Sequence, residues 1–171
     1  YEINPYPRWV NAGLPLNSKF ISKIAREHQL KIENKDILKV REPSILIAGS
    51  GTGQHSIETA RRIKGSKLLA IDLSLSSLSY AKRKAEEFGV DNINYMQADI
   101  LDLGKLGKTF DIIECAGVLH HMSDPMAGWK ILTGCLKKGG LMRIALYSEL
   151  GRKYIVKTLD EIKSSDRSSN I

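Results

Sequence analysis

The sequence predicts an α/β fold in which a parallel sheet is covered by helices, and three observations carry that expectation. From Ser44 onward, short β-branched or apolar runs alternate with longer segments of helical period, the pattern of successive β-α-β units. The run Ile45-Leu46-Ile47-Ala48 is apolar at every position and stops at Gly49, as a strand buried on both faces does. The chain is 171 residues long, which at roughly 150 residues per domain is one core. Hydrophobic residues make up 42% and charged residues 26%, so collagen-like, low-complexity and wholly disordered classes are excluded.

The elements follow in order. Residues 45–48 form strand one, and residues 53–64 a helix with Ile57, Ala60 and Ile63 at helical spacing. Residues 67–71 are strand two. Ser74 is a fitting N-cap for a helix carrying Leu75, Leu78, Ala81, Ala85 and Phe88, closed by Gly89. Residues 93–97 are strand three, followed by a short helix or turn over 101–106, and residues 110–115 are strand four. Asp124-Pro125 supplies an N-cap and a proline at the first helical position, and Gly139-Gly140 is expected to end the resulting helix. Residues 141–147 are strand five, and a last helix is expected over 149–163. Five strand signals imply the order 3-2-1-4-5. Strand five then stands at an open edge, where self-association is expected unless the last helix covers it.

Residues 1–43 read as an N-terminal arm and cap helix, with Phe20, Ile21 and Ile24 on an amphipathic face over 16–29. Residues 44–163 are the core and residues 164–171 a polar tail. Twenty-six Lys and Arg against 19 Asp and Glu give a net charge of +7, spread along the chain as on a solvated surface yet also suited to an acidic partner. Cys115 and Cys135 have neither zinc-ligand spacing nor a Cys-x-x-Cys pattern, so no metal is expected. Two cysteines and no apolar run approaching 18 residues predict a cytoplasmic setting without a membrane anchor. The chain starts at Tyr1, so its beginning carries no targeting information.

The informative stretch is Gly49-Ser50-Gly51-Thr52-Gly53, between strand one and a helix. Glycines there allow a tight turn and close approach of a ligand to the backbone, and the helix N-terminus offers N–H groups to negative charge. The dinucleotide fingerprint G-x-G-x-x-G requires glycine where Gln54 stands, which disfavours a nicotinamide nucleotide. Asp72 ends strand two, 19 positions beyond Gly53, where an acid can accept both ribose hydroxyl protons; its other role would be as a partner of the helix that Ser74 caps. Asp99, after strand three, suits an exocyclic adenine amine with Ile100 against the ring, or equally a cap for the short helix beyond it.

In this order and spacing, residues 45–53, 68–72, 97–100, 110–121 and 136–146 resemble class I S-adenosylmethionine-dependent methyltransferases. The run from Phe110 to Pro125 looks like the strand-four motif of the branch acting on small molecules. The arm Asn4-Pro5-Tyr6-Pro7-Arg8-Trp9 followed by this core is similar to methyltransferase domains appended to tetratricopeptide-repeat proteins, although no repeat lies within the sequence. The resemblance implies a Rossmann-like, doubly wound sheet. It also implies S-adenosyl-L-methionine as cofactor and S-adenosyl-L-homocysteine as product. It sets Gly49, Gly51 and Gly53, with Ser50, under the methionine moiety and Asp72, with Leu73, at the ribose. Asp99 and Ile100 fall at the adenine, and Cys115 and Ala116 beside the sulfonium. Ala48 stands where many members carry an acid, which would leave the methionine end to backbone and water. The family's strands six and seven have no counterpart after Tyr147, so either the polypeptide continues or these residues are a fragment, with part of the acceptor side lost.

Methyl transfer from a sulfonium depends mainly on positioning, and a base helps only where the acceptor is a hydroxyl or an acidic carbon. His120 and His121, just past strand four, are the candidates for that base; the alternative is that one packs beneath the loop while the other is solvated. His55 is expected at the pocket rim. Tyr6, Arg8 and Trp9 would close over the cofactor or pack the arm onto the core, and Tyr147 poses the same choice. A small-molecule acceptor leads. An RNA or protein acceptor is the rival, which the positive charge favours and a basic stripe beside the pocket would support. A cofactor-binding module without catalysis is the other.

Overall fold

The computed structural model describes residues 7–9, 13–15, 17–148, 150–151, 154–155 and 158. Five parallel strands, β1 (Ser44–Ala48), β2 (Lys67–Asp72), β3 (Ile93–Gln97), β4 (Phe110–Ala116) and β5 (Leu136–Ala145), form one sheet in the order β3-β2-β1-β4-β5, as the sequence predicts. Side chains of β1 alternate between two cores. Leu46 and Ala48 join Ile71, Ile113 and Leu132 on one face, while Ile45 and Ile47 join Leu68, Ala70 and Ile112 on the other. A strand buried this way has no polar face, which is why it reads as a continuous apolar run.

Helices α1 (Ile21–Glu27), α2 (Gln54–Arg62), α3 (Leu75–Glu87) and α4 (Pro125–Gly134) surround the sheet, with short 3-10 turns at Lys35–Lys39, Ile100–Leu106 and Leu119–His121. Two caps follow the sequence expectation. The Ser74 hydroxyl accepts from Ser77 N–H at 3.2 Å, and one Asp124 carboxylate oxygen accepts from Met126 and Ala127 N–H, both at 3.0 Å.

Three expectations are corrected. The helix expected over 16–29 covers only Ile21–Glu27, because Lys19 is pulled into an extended pairing: its N–H donates to Arg62 O at 2.8 Å and its carbonyl accepts from Lys64 N–H at 2.9 Å. Gly139-Gly140 does not end α4. That helix stops at Cys135, whose N–H bonds the Ile131 and Leu132 carbonyls, and the glycines lie inside β5. Strand five accordingly begins at Leu136 rather than 141.

The glycine pair serves an irregularity in pairing, where the step from Phe110 to Ile112 in β4 is matched by Leu136 to Leu141 in β5. Gly139 has φ +77°, and a Cβ there would lie 2.1 Å from Asn34 Nδ2; a Cβ on Gly140 would lie 2.8 Å from Asp111 O. Lys137 within this bulge donates to both Asp111 oxygens, at 3.0 and 2.9 Å.

The last expected helix falls largely outside the described residues. Those described within it, Leu150, Gly151, Tyr154, Ile155 and Thr158, are helical, and Leu150 and Tyr154 are 82% exposed. Residues 164–171 also lie outside. No helix among the described residues is long and apolar enough to cross a membrane.

Candidate functional site

A cleft of about 1310 Å³ opens at the carboxyl ends of β1, β2 and β4, where the strand order reverses. Its floor is the glycine loop, and the three glycines serve different needs. Gly49 (φ +78°) passes beneath Val118, whose Cγ2 would sit 2.1 Å from a Cβ. Gly53 (φ +89°) packs against α3, where a Cβ would be 2.4 Å from Ala81 Cβ. Gly51 (φ +53°) would present a Cβ to open space on the cleft side. Helix α2 begins at Gly53 with no side-chain cap, so its first N–H groups are left for another acceptor.

Asp72 takes the helix-partner role read from the sequence and stands at the cleft. One carboxylate oxygen accepts from Gly51 N–H at 2.7 Å and the other from Ser74 N–H at 2.9 Å, while the residue lines the cleft. Asp99 caps the turn beyond it, accepting from Leu101 N–H at 2.9 Å, and shares the cleft wall with Ile100 and Leu73. Ser50 lines the cleft, but its hydroxyl is buried and donates to Ser56 Oγ at 3.2 Å.

The placement of Cys115 is corrected. Ala116 lines the cleft, whereas Cys115 lies in the apolar core below, and burial pushes its thiol up to about 11 against a weaker opposing backbone hydrogen bond from Leu119. Strand alternation points the Cys115 side chain into the layer of Ile113 and Leu132 rather than toward the cleft.

His121 lines the cleft, and its Nε2 is 3.1 Å from His120 Nε2. The His120 ring lies against Tyr147, with centroids 3.8 Å apart. Tyr6 is outside the described residues and Arg8 is exposed. Trp9 packs the arm onto the core: its indole N–H donates to Thr52 O at 3.1 Å and its ring stacks on Phe88 at 5.6 Å. Tyr80 O–H donates to Trp9 O at 2.8 Å, and Thr52 O–H donates to Pro7 O at 2.7 Å. The arm therefore grips the back of the glycine loop.

Sequence reasoning missed a buried network beside the cleft, reached from it through His55, Arg62 and Arg143. Glu114, 4% exposed in the middle of β4, accepts from Thr59 Oγ1 at 3.0 Å and Arg62 Nη2 at 2.9 Å and is 2.5 Å from His55 Nε2. Arg143, its register partner on β5, has Nη1 at 3.7 Å. Burial pushes the Glu114 carboxyl up, but the hydrogen bond and charge from His55, the Arg62 charge and the Thr59 hydroxyl outweigh it and hold the group below its ordinary range. An acid between Ile113 and Cys115 in an apolar stretch of β4 was the available signal, since a buried charge requires a partner. It did not reveal which residues would supply one.

The profile of the family described as methyltransferase domain matches residues 45–140. The chain is 39% identical over 114 residues to the uncharacterized protein syc1184_c of a Synechococcus strain, covering 66% of this chain and 27% of that protein. It is 30% identical over 154 residues to the ubiquinone biosynthesis O-methyltransferase of Coxiella burnetii, covering 85% and 59%. Among solved structures, the N-terminal domain of EvdMO1 with SAH bound is similar, with 26% identity and a TM-score of 0.53 over 71% of this chain and 48% of that one. The chain thus spans between about a quarter and three fifths of the length of these curated relatives.

Proposed function

Because the chain belongs to the methyltransferase domain family, we propose that it binds S-adenosylmethionine across the glycine loop and transfers the methyl group to a small-molecule acceptor. The observation that carries this reading is the open side of Gly51, set between the Asp72 carboxylate and the uncapped start of α2. Close backbone approach, an acceptor for ribose hydroxyls and free N–H groups for a carboxylate are what such a ligand needs. Asp72 retains lone pairs beyond its two backbone hydrogen bonds, so it can also accept from a diol. Asp99 and Ile100 offer an acceptor and an apolar surface to the base. The bound similar structure, that of EvdMO1 with SAH, supports the cofactor assignment.

When bound, the cofactor supplies an electrophilic methyl group on a cationic sulfur. The chain's share is orientation and exclusion of water, and orientation contributes up to roughly 7 to 11 kcal/mol in intramolecular reactions. Three carboxylates, Glu58, Asp72 and Asp99, face two guanidinium groups, Arg62 and Arg143, in the cleft lining. That balance is no basic stripe, which supports a small acceptor over a polynucleotide. The Coxiella relative, named an O-methyltransferase, supports oxygen as the methylated atom. Joining to a tetratricopeptide-repeat region is part of the same proposal and rests on the arm motif alone.

Calorimetric titration with S-adenosylmethionine, S-adenosylhomocysteine and NAD tests the assignment. The first two bind and NAD does not. Asp72→Ala weakens S-adenosylhomocysteine by about 1.5 to 3 kcal/mol, the loss of a charge-assisted contact. An unchanged Kd in that variant overturns the ribose assignment.

A further inference from the structure

Glu114 has more partners than its burial requires. A carboxylate 4% exposed needs one cation, and Arg62 at 2.9 Å provides it. Arg62 supplies a permanent charge, so His55, which also helps to hold the Glu114 carboxyl low, is available for a further role. His55 sits two residues past Gly53, in the first turn of α2, and lines the same cleft as Gly51. Its Nε2 lies 2.5 Å from Glu114 Oε2, while its Nδ1 has no hydrogen-bond partner among the described residues and is not buried. Donation from Nε2–H to the carboxylate fixes the tautomer and leaves an Nδ1 lone pair unclaimed on a ring that lines the cleft. His121 lines the cleft too, but its Nε2 is taken by His120, and no carboxylate orients it among the described residues.

We infer that His55, oriented by Glu114, is the group that accepts a proton from a hydroxyl acceptor, an assignment that rests on the methyl-transfer reading above. In that step the acceptor O–H bond breaks and its proton passes to His55 Nδ1. The oxygen forms a bond to the methyl carbon, and the electron pair of the broken sulfur–carbon bond stays on sulfur. The charge gained by the imidazole is offset by Glu114 across the ring. His55 is thus the catalytic residue and Glu114 a positioning residue. An amine acceptor already neutral in the cleft would not need His55, which makes the inference specific to hydroxyl chemistry.

The test has two arms. In the free protein, proton and nitrogen NMR of the histidine rings shows a downfield Nε2–H resonance for His55, and Glu114→Gln shifts it upfield by at least about 1 ppm. Protonation at Nδ1 instead, or a resonance that Glu114→Gln leaves unmoved, overturns the inference whether or not cofactor binds. In the second arm, transfer is measured from S-adenosylmethionine to catechol and to benzylamine. His55→Gln, which keeps an N–H for Glu114 and so preserves folding, lowers kcat for catechol at least about 100-fold. Its KM for catechol and Kd for S-adenosylhomocysteine change less than about threefold, and any benzylamine rate falls far less than the catechol rate. Catechol methylation that survives His55→Gln overturns the inference, as does methylation of benzylamine alone by the wild-type chain. Failure to bind S-adenosylhomocysteine overturns the methyl-transfer reading itself, a result the NMR arm keeps separate.

Discussion

At the carboxyl ends of β2 and β3, Asp72 accepts from the Gly51 and Ser74 N–H groups and Asp99 from Leu101 N–H; behind the cleft, Glu114 is held by the side chains of His55, Thr59 and Arg62. The first wall satisfies its acids with main chain close by in sequence or carried on the loop itself. The second assembles side chains from β4 and α2, more than 50 positions apart. A wall built on main chain keeps its shape at any protonation state of its neighbours, whereas a side-chain network responds to titration and to single substitutions. The cofactor side is accordingly a fixed cradle and the Glu114 side a set of coupled groups.

Substitutions test that contrast, beginning with the largest effect. Gly53→Ala forces a Cβ to 2.4 Å from Ala81 Cβ and 2.9 Å from its Cα at φ +89°, which destabilises the fold by about 3 kcal/mol. Gly51→Ala, with φ +53° and open space, loses about 1 kcal/mol and mainly weakens ligand binding. Urea denaturation of both variants separates them. Equal losses would mean that the two glycines serve the same purpose and that the cradle argument fails.

The next effect is on the coupled wall. Glu114→Gln lowers stability at pH 7 by about 2 kcal/mol, less than for a fully enclosed pair because Arg62 is partly exposed. The pH dependence changes as well. Glu114 is held below its ordinary 4.5 in the fold, so its contribution is fully present above 4.5 and is lost as pH falls through the folded value. Asp111 adds a second loss of the same sign below its ordinary 3.8: burial raises it, but the Ser44 hydroxyl and Lys137, with Ser44 N–H, outweigh burial. Wild-type stability is therefore flat from pH 5 to 7 in these two groups and declines below about 4.5, while Glu114→Gln has a shallower decline. An unchanged acid profile in the variant would remove the titrating wall from the comparison. The smallest effect is Trp9→Phe, which keeps the stacking on Phe88 and loses only the hydrogen bond to Thr52 O. Thermal unfolding should show about 1 kcal/mol or less.

The sequence by itself determined whatever depends on neighbours within a few positions. The presence of five strands, though not the start of β5, comes from apolar and β-branched or aromatic runs, the starts of α3 and α4 from Ser74 and Asp124-Pro125, and the loop from its three glycines, because periodicity, caps and left-handed backbone are local physics. Asp72 was placed by its distance from the loop, and its hydrogen bonds from Gly51 and Ser74 N–H show the helix-partner role that the sequence suggested. Only the tertiary structure decided which partner a residue meets across the sheet. Gly139-Gly140 has the composition of a helix end, yet Asn34 and the Asp111 carbonyl leave no room for a Cβ, and the pair became a bulge in β5. Lys19 left a helical pattern because Arg62 and Lys64 offered it main-chain partners. Cys115 turned inward by the alternation of β4. Glu114 and His55, 59 positions apart, are joined because β4 runs beside β1 and α2 crosses their face, and a contact made by packing leaves no spacing in the sequence from which to read it.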